Sequence, residues 1–117
     1  MPESHPLPAG ESLTVEFKSD RKCLSDHELI EAIVCMANAQ GGELWLGVED
    51  DGQPTGLHEA HLGLDGLAGL VAARTSPSVH VVVTALVEQG HAVARIAVPK
   101  ARSEVATTSG VYLRRRL

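Results

Sequence analysis

The sequence predicts an α+β domain in which two helices pack on a mixed β-sheet, and three patterns lead there. An alternating apolar stretch near the N-terminus gives way to a helix-period segment, which a glycine pair separates from a short continuous apolar run. A second helix-period segment follows. Two runs rich in β-branched residues, separated by Glu88-Gln89-Gly90, then read as an antiparallel hairpin. A chain of 117 residues has room for one core, and at about this length folding buries about two-thirds of the surface that the unfolded form exposes. An apolar content of 44% rules out wholesale disorder.

Residues 1–10 carry three prolines and a glycine without apolar periodicity, so they are expected to form a flexible arm, with the domain over 11–117. Leu13, Val15 and Phe17 alternate with Ser12, Thr14, Glu16 and Lys18, which predicts a strand with Glu16 turned away from the core face. Ser25-Asp26-His27-Glu28 has the form of a capping box, opening a helix from about Asp26 to Ala39. Its apolar face carries Leu29, Ile30, Ile33, Val34, Met36 and Ala37, with Glu28, Glu31 and Cys35 opposite. Gly41-Gly42 ends the helix, and Glu43 to Val48 reads as a buried strand.

Glu49 to Pro54 predicts a tight turn into a short strand near Thr55-Gly56-Leu57. A second helix, weakened by Gly63, Gly66 and Gly69, is expected from about Glu59 to Ala73. The hairpin pairs Val79 to Val87 with His91 to Val98. Lys100 to Gly110 reads as a polar loop before a last strand near Val111 to Leu113.

No run approaches the roughly 18 apolar residues of a membrane span, and the N-terminus lacks the basic and apolar regions of a signal peptide. A cytoplasmic protein with no membrane partner is therefore expected. Cys23 and Cys35 fit neither a disulfide framework nor a zinc spacing, so both read as reduced thiols. His58 and His61 stand at i, i+3 but lack a third ligand, while His27, His80 and His91 have no visible nucleophile for a triad. The net charge of −5 argues against a broad basic surface, and three aromatic residues are too few for an extended base-stacking platform.

Two constellations remain. Glu11 and Glu16 flank the first strand, and Glu49, Asp50 and Asp51 gather at the end of another; if the strands are neighbours, three carboxylates can meet on a hard divalent cation such as Mg²⁺ or Mn²⁺. Solvated acids in turns explain the same spacing. Lys18, Arg21 and Lys22 form a basic knot after the first strand, and Arg114, Arg115 and Arg116 form another near the C-terminus. Both have the side chains that phosphate contacts need. Asn38 falls off the apolar helix face, either to hold a loop backbone or to face a ligand.

Taken together, Glu11 to Lys18 (ESLTVEFK), Ala37 to Gly42 (ANAQGG), Leu46 to Gly52 (LGVEDDG) and Gly56 resemble the Schlafen AlbA-like DNA-binding domain family. The resemblance is strong over about 11–57, and Val111-Tyr112-Leu113-Arg114 is similar to the family's closing strand. It implies an Alba-like fold and a module that binds DNA or RNA, in the setting of transcription regulators and helicase-related proteins, with Lys18 at the family's basic position.

The resemblance also implies a sharper alternative. Vertebrate Schlafen proteins use this domain type in a metal-dependent endoribonuclease, and their three catalytic carboxylates fall in the segments matched here by Glu11, Glu16 and Asp50, where Mg²⁺ or Mn²⁺ would sit. That nuclease core grips RNA with two lobes, so a homodimer of this chain is expected to imitate it. Glu49 stands where an aspartate is common, Met36 replaces a frequent aromatic, and the zinc-ligand set of the nuclease core is missing. A third reading, suggested by the negative charge, is a protein-interaction or dimerisation module that ignores nucleic acid.

Overall fold

A computed structural model describes residues 7–109; the expected strand at Val111–Leu113 and the Arg114–Arg116 cluster lie outside the described residues. The alternating stretch forms β1 (Val15–Lys18), and the helix-period segment forms α1 (Asp26–Ala37). The Ser25 hydroxyl caps α1 by accepting the Glu28 amide at 3.1 Å. β2 (Gly42–Leu46) follows, then a single 3-10 turn at Glu59–His61, α2 (Leu67–Ala73), β3 (Thr75–Ser76), the hairpin of β4 (Val82–Glu88) and β5 (His91–Val98), and β6 (Ala106–Thr107). Gln89 (φ 50°) and Gly90 (φ 82°) make the hairpin turn with two positive φ angles, the geometry that matches strand twist.

The main sheet runs β1-β2-β5-β4, with β1 parallel to β2 and the other pairs antiparallel. This is the expected α+β architecture, and its central strands β2 and β5 have apolar clusters on both faces. One face of the sheet packs Leu44, Leu46, Ala94, Ile96 and Val98 against the buried side of α1 and Val71 of α2. The other carries a smaller cluster of Phe17, Trp45, Val48 and Val93. Directly paired residues share a face, and Glu16 pairs with Leu44 and Lys18 with Leu46, whereas Phe17 pairs with Trp45. The apolar stripe of β1 therefore serves the smaller cluster. Glu16 and Lys18 lie on the helix-bearing face, at its outer edge.

Two elements depart from expectation for local reasons. The segment from Glu59 to Ala73 is not one helix: Gly66, in the left-handed region at φ 83°, separates the 3-10 turn from α2. Thr55 to Leu57 is not a regular strand, because the Thr55 and Gly56 amides both donate to the Gly47 carbonyl at 2.9 Å. The start of β2 is a close approach. At Gly42 (φ 134°) an added Cβ would overlap the backbone carbonyl of Thr14, so both the angle and the space require glycine.

Asn38 holds a loop. Its Nδ2 donates to the Val105 carbonyl and its Oδ1 accepts the Val105 amide, each at 2.8 Å. That clamp brings part of the polar 100–109 segment into order as β6, which pairs antiparallel with β3. On the smaller-cluster face, the Arg95 Nη2 lies 2.8 Å from Glu43 Oε2, and the Trp45 indole N–H donates to Glu43 Oε1 at 2.9 Å.

Candidate nucleic-acid interface

The basic knot forms the turn that leaves β1. The Cys23 amide closes it on the Asp20 carbonyl at 3.0 Å, with Cys23 itself at φ 57°. Asp20 is completely buried. Its Oδ1 accepts the Leu24 amide at 2.8 Å, and its Oδ2 accepts the His58 amide at 2.8 Å and lies 2.7 Å from His61 Nδ1. A buried carboxylate is tolerated only when its lone pairs are used in this way. The turn is thereby fastened to the segment at 58–61, its acid facing inward and its neighbours Arg21 and Lys22 exposed.

Arg21, Lys22, Cys23 and Ser19 line an open cleft of about 720 Å³ together with Glu28 and Glu49. The Arg21 guanidinium, 68% exposed, stands 4.0 Å from Glu49 Oε1, while Glu49 Oε2 accepts the Thr55 hydroxyl at 2.6 Å. Exposed pairs of this length contribute about 0–1 kcal/mol, so Arg21 can exchange Glu49 for a phosphate at little cost. Lys18 ends β1 and lies 3.6 Å from Glu16.

The predicted acids have separate settings. Glu11 is exposed and its Oε1 accepts the Phe17 amide at 3.1 Å; Glu16 faces Lys18; Asp50 sits in the exposed turn that the Gly52 amide closes on the Glu49 carbonyl. Among the described residues, the set of three potential ligand groups within 4.8 Å of one another is Asp20, Cys23 and His61. Glu11, Glu16 and Asp50 do not form such a set as placed.

Sequence reasoning missed the Asp20–His61 pair, whose members are 41 residues apart and carry no local signature. The His58–His61 spacing suggested two ligands on one helical turn. Instead the His58 ring accepts the Ala60 amide at 3.1 Å, and of the two imidazoles it is that of His61 that reaches Asp20.

The family model for Schlafen, AlbA_2 matches residues 11–116, nearly the whole chain. The chain belongs to this family. The AlbA_2 domain is similar in fold to the DIP2311 protein from Corynebacterium diphtheriae (TM-score 0.72, 27% identity), covering 89% of the present chain and 21% of that one. It thus spans about a fifth of that protein's length. A second similar structure is the N-terminal domain of a protein from Nitrosomonas europaea related to the ATP-dependent DNA helicase RecG (TM-score 0.65, 22% identity, 92% of this chain and 81% of that one). No curated protein is a significant match. Among the described residues, no helix is long and apolar enough to cross a membrane.

Proposed function

We propose that this AlbA_2 domain is a nucleic-acid-binding module, working as a homodimer in DNA-directed regulation. Its phosphate contacts come from Lys18, Arg21 and Lys22, with Arg114, Arg115 and Arg116 adding to them. The observation that carries this reading is the turn after β1, which buries its acid, Asp20, and exposes its two bases on a braced backbone. With a net charge of −5 the domain has no long-range attraction for a polyanion. Binding then rests on a few local contacts and is strongly salt-dependent.

Fluorescence anisotropy with duplex DNA, single-stranded DNA and transfer RNA over a salt series tests this. For duplex DNA, log K should fall against log salt by about 0.9 per phosphate contacted, and Arg21→Ala with Lys22→Ala should reduce that slope by about 2. Absence of binding at low salt, or binding indifferent to salt, would refute the reading.

A metal-dependent endoribonuclease using Glu11, Glu16 and Asp50 is the second reading. It is supported by the parallel pairing of β1 and β2, whose C-terminal ends lie side by side, the Gly47 amide donating to the Lys18 carbonyl at 2.8 Å just before the acidic turn. It requires Glu11 to leave the Phe17 amide and Glu16 to leave Lys18. Structured RNA incubated with Mg²⁺ or Mn²⁺ should be cleaved by the wild type and spared by Glu16→Ala and Asp50→Ala; equal cleavage by all three would sink the assignment. A dimer indifferent to nucleic acid and metal alike would instead mark a protein-interaction module.

A further inference from the structure

We propose that Cys23 is a nucleophilic thiol, with His61 as its proton acceptor and Asp20 as the group that positions His61, and that it is a modification site for small hydroperoxides. The inference does not depend on nucleic-acid binding.

The arrangement has the three parts that activate a nucleophile: the nucleophile, a base within reach, and a group orienting the base. Cys23 Sγ lies 4.0 Å from His61 Nε2, and His61 Nδ1 lies 2.7 Å from Asp20 Oδ2. An ionised carboxylate only accepts, so Nδ1 carries the imidazole proton and Nε2 presents its lone pair to the thiol. Asp20 is fixed in turn by the Leu24 and His58 amides, so the orienting group cannot rotate away.

Cys23 occupies the left-handed region, which a non-glycine residue adopts only when its surroundings impose it. In that conformation its side chain meets His61 while it lines the open cleft beside Arg21 and Lys22, where a small reagent can reach the sulfur. Glu28 and Glu49 are the acids that line the same cleft.

The same three residues fit a metal ion less well. Both Asp20 oxygens already hold a backbone amide and share the His61 N–H. An ion would find Sγ and Nε2 alone, where a structural zinc site has four protein ligands.

The reaction balances without a cofactor. The thiol proton passes to His61 Nε2, the sulfur attacks one peroxide oxygen, an S–O bond forms and the O–O bond breaks. The departing hydroxide, or the alkoxide of an organic hydroperoxide, takes the proton from His61 and leaves as water or as the alcohol. Sulfur is oxidised by two electrons to the sulfenic acid, and the peroxide is reduced.

The test uses the full chain with Cys35→Ser, leaving Cys23 as the one thiol, and the reciprocal Cys23→Ser chain, leaving Cys35. Iodoacetamide alkylation at pH 6.5, and dimedone capture after hydrogen peroxide, are followed by intact mass. Native Cys23 should react at least 10-fold faster than Cys35, and at least 10-fold faster than the same thiol in the urea-unfolded chain. His61→Gln should remove that advantage while the circular dichroism stays native. If this variant does not fold, the native-against-unfolded comparison alone decides. Equal rates in native and unfolded chains would overturn the proposal, as would full reactivity in a folded His61→Gln chain. Stoichiometric Zn²⁺ binding that blocks alkylation would overturn it in favour of a metal site.

Discussion

Truncating Asn38 to alanine removes both hydrogen bonds that fasten the 100–109 segment to the end of α1. Val105 is 3% exposed, so its amide and carbonyl would lose their partners in a setting that water reaches poorly. A buried polar group left unpaired costs about 1–3 kcal/mol. The Asn38 side chain borders a surface depression formed with Ala101 to Glu104, and partial hydration from there keeps each cost toward the lower end. The sum for two groups is about 3 kcal/mol. With an unfolding entropy of about 2.1 cal/mol/K per residue, that lowers Tm by about 12 °C.

Urea unfolding followed by fluorescence reads this directly, because Trp45 is the sole tryptophan and sits fully buried in the smaller cluster, away from the clamp. Amide exchange at Val105, Ala106 and Thr107 should accelerate together, since β6 is held in place from the same point. Asn38→Asp keeps an acceptor for the Val105 amide but sets a carboxylate oxygen against the Val105 carbonyl, so it should destabilise at least as much. A loss below about 1 kcal/mol for Asn38→Ala, with an unchanged denaturant slope, would refute the reasoning.

Gly42→Ala should cost about 2–4 kcal/mol in a thermal melt, because its Cβ meets the Thr14 backbone and φ is 134°. Gly63→Ala, with nothing within 4 Å, should stay within about 0.5 kcal/mol of the wild type in the same melt. Trp45→Phe removes the indole bond to Glu43 and some core volume, for a loss of about 1–3 kcal/mol by circular dichroism. Asp20→Ala strands the Leu24 and His58 amides; a loss of about 3 kcal/mol and faster exchange at both amides are expected.

Elements set by neighbouring residues were legible in the sequence. Ser25 caps α1 three residues before Glu28, and the Gln89-Gly90 turn joins β4 and β5. Glu43 to Val48 read as a buried strand because both faces of β2 are covered. Gly66 was visible as a weakness, but a left-handed break is a stronger event than a reduced helix propensity, and only the backbone angle distinguishes them. β6 is two residues long in a polar stretch and exists because Asn38 holds its neighbour, which no local propensity encodes. The same holds for the site: the basic knot is contiguous and was visible, whereas Asp20, Cys23 and His61 meet only through the fold.

The strand order β1-β2-β5-β4 also fixes when the chain can fold. β2 finds its antiparallel partner only when β5 has been made, and Glu43 and Arg95 are 52 residues apart. Among the strands β1 to β6, the β4–β5 hairpin is the local pairing; the others must first close long loops, and such contacts form late. On a ribosome, the N-terminal half emerges with Phe17 and Trp45 still lacking Val93, the partner that completes their cluster. Synthesis therefore passes through an interval in which sticky strands wait for the hairpin, and chaperone engagement should be concentrated in that interval.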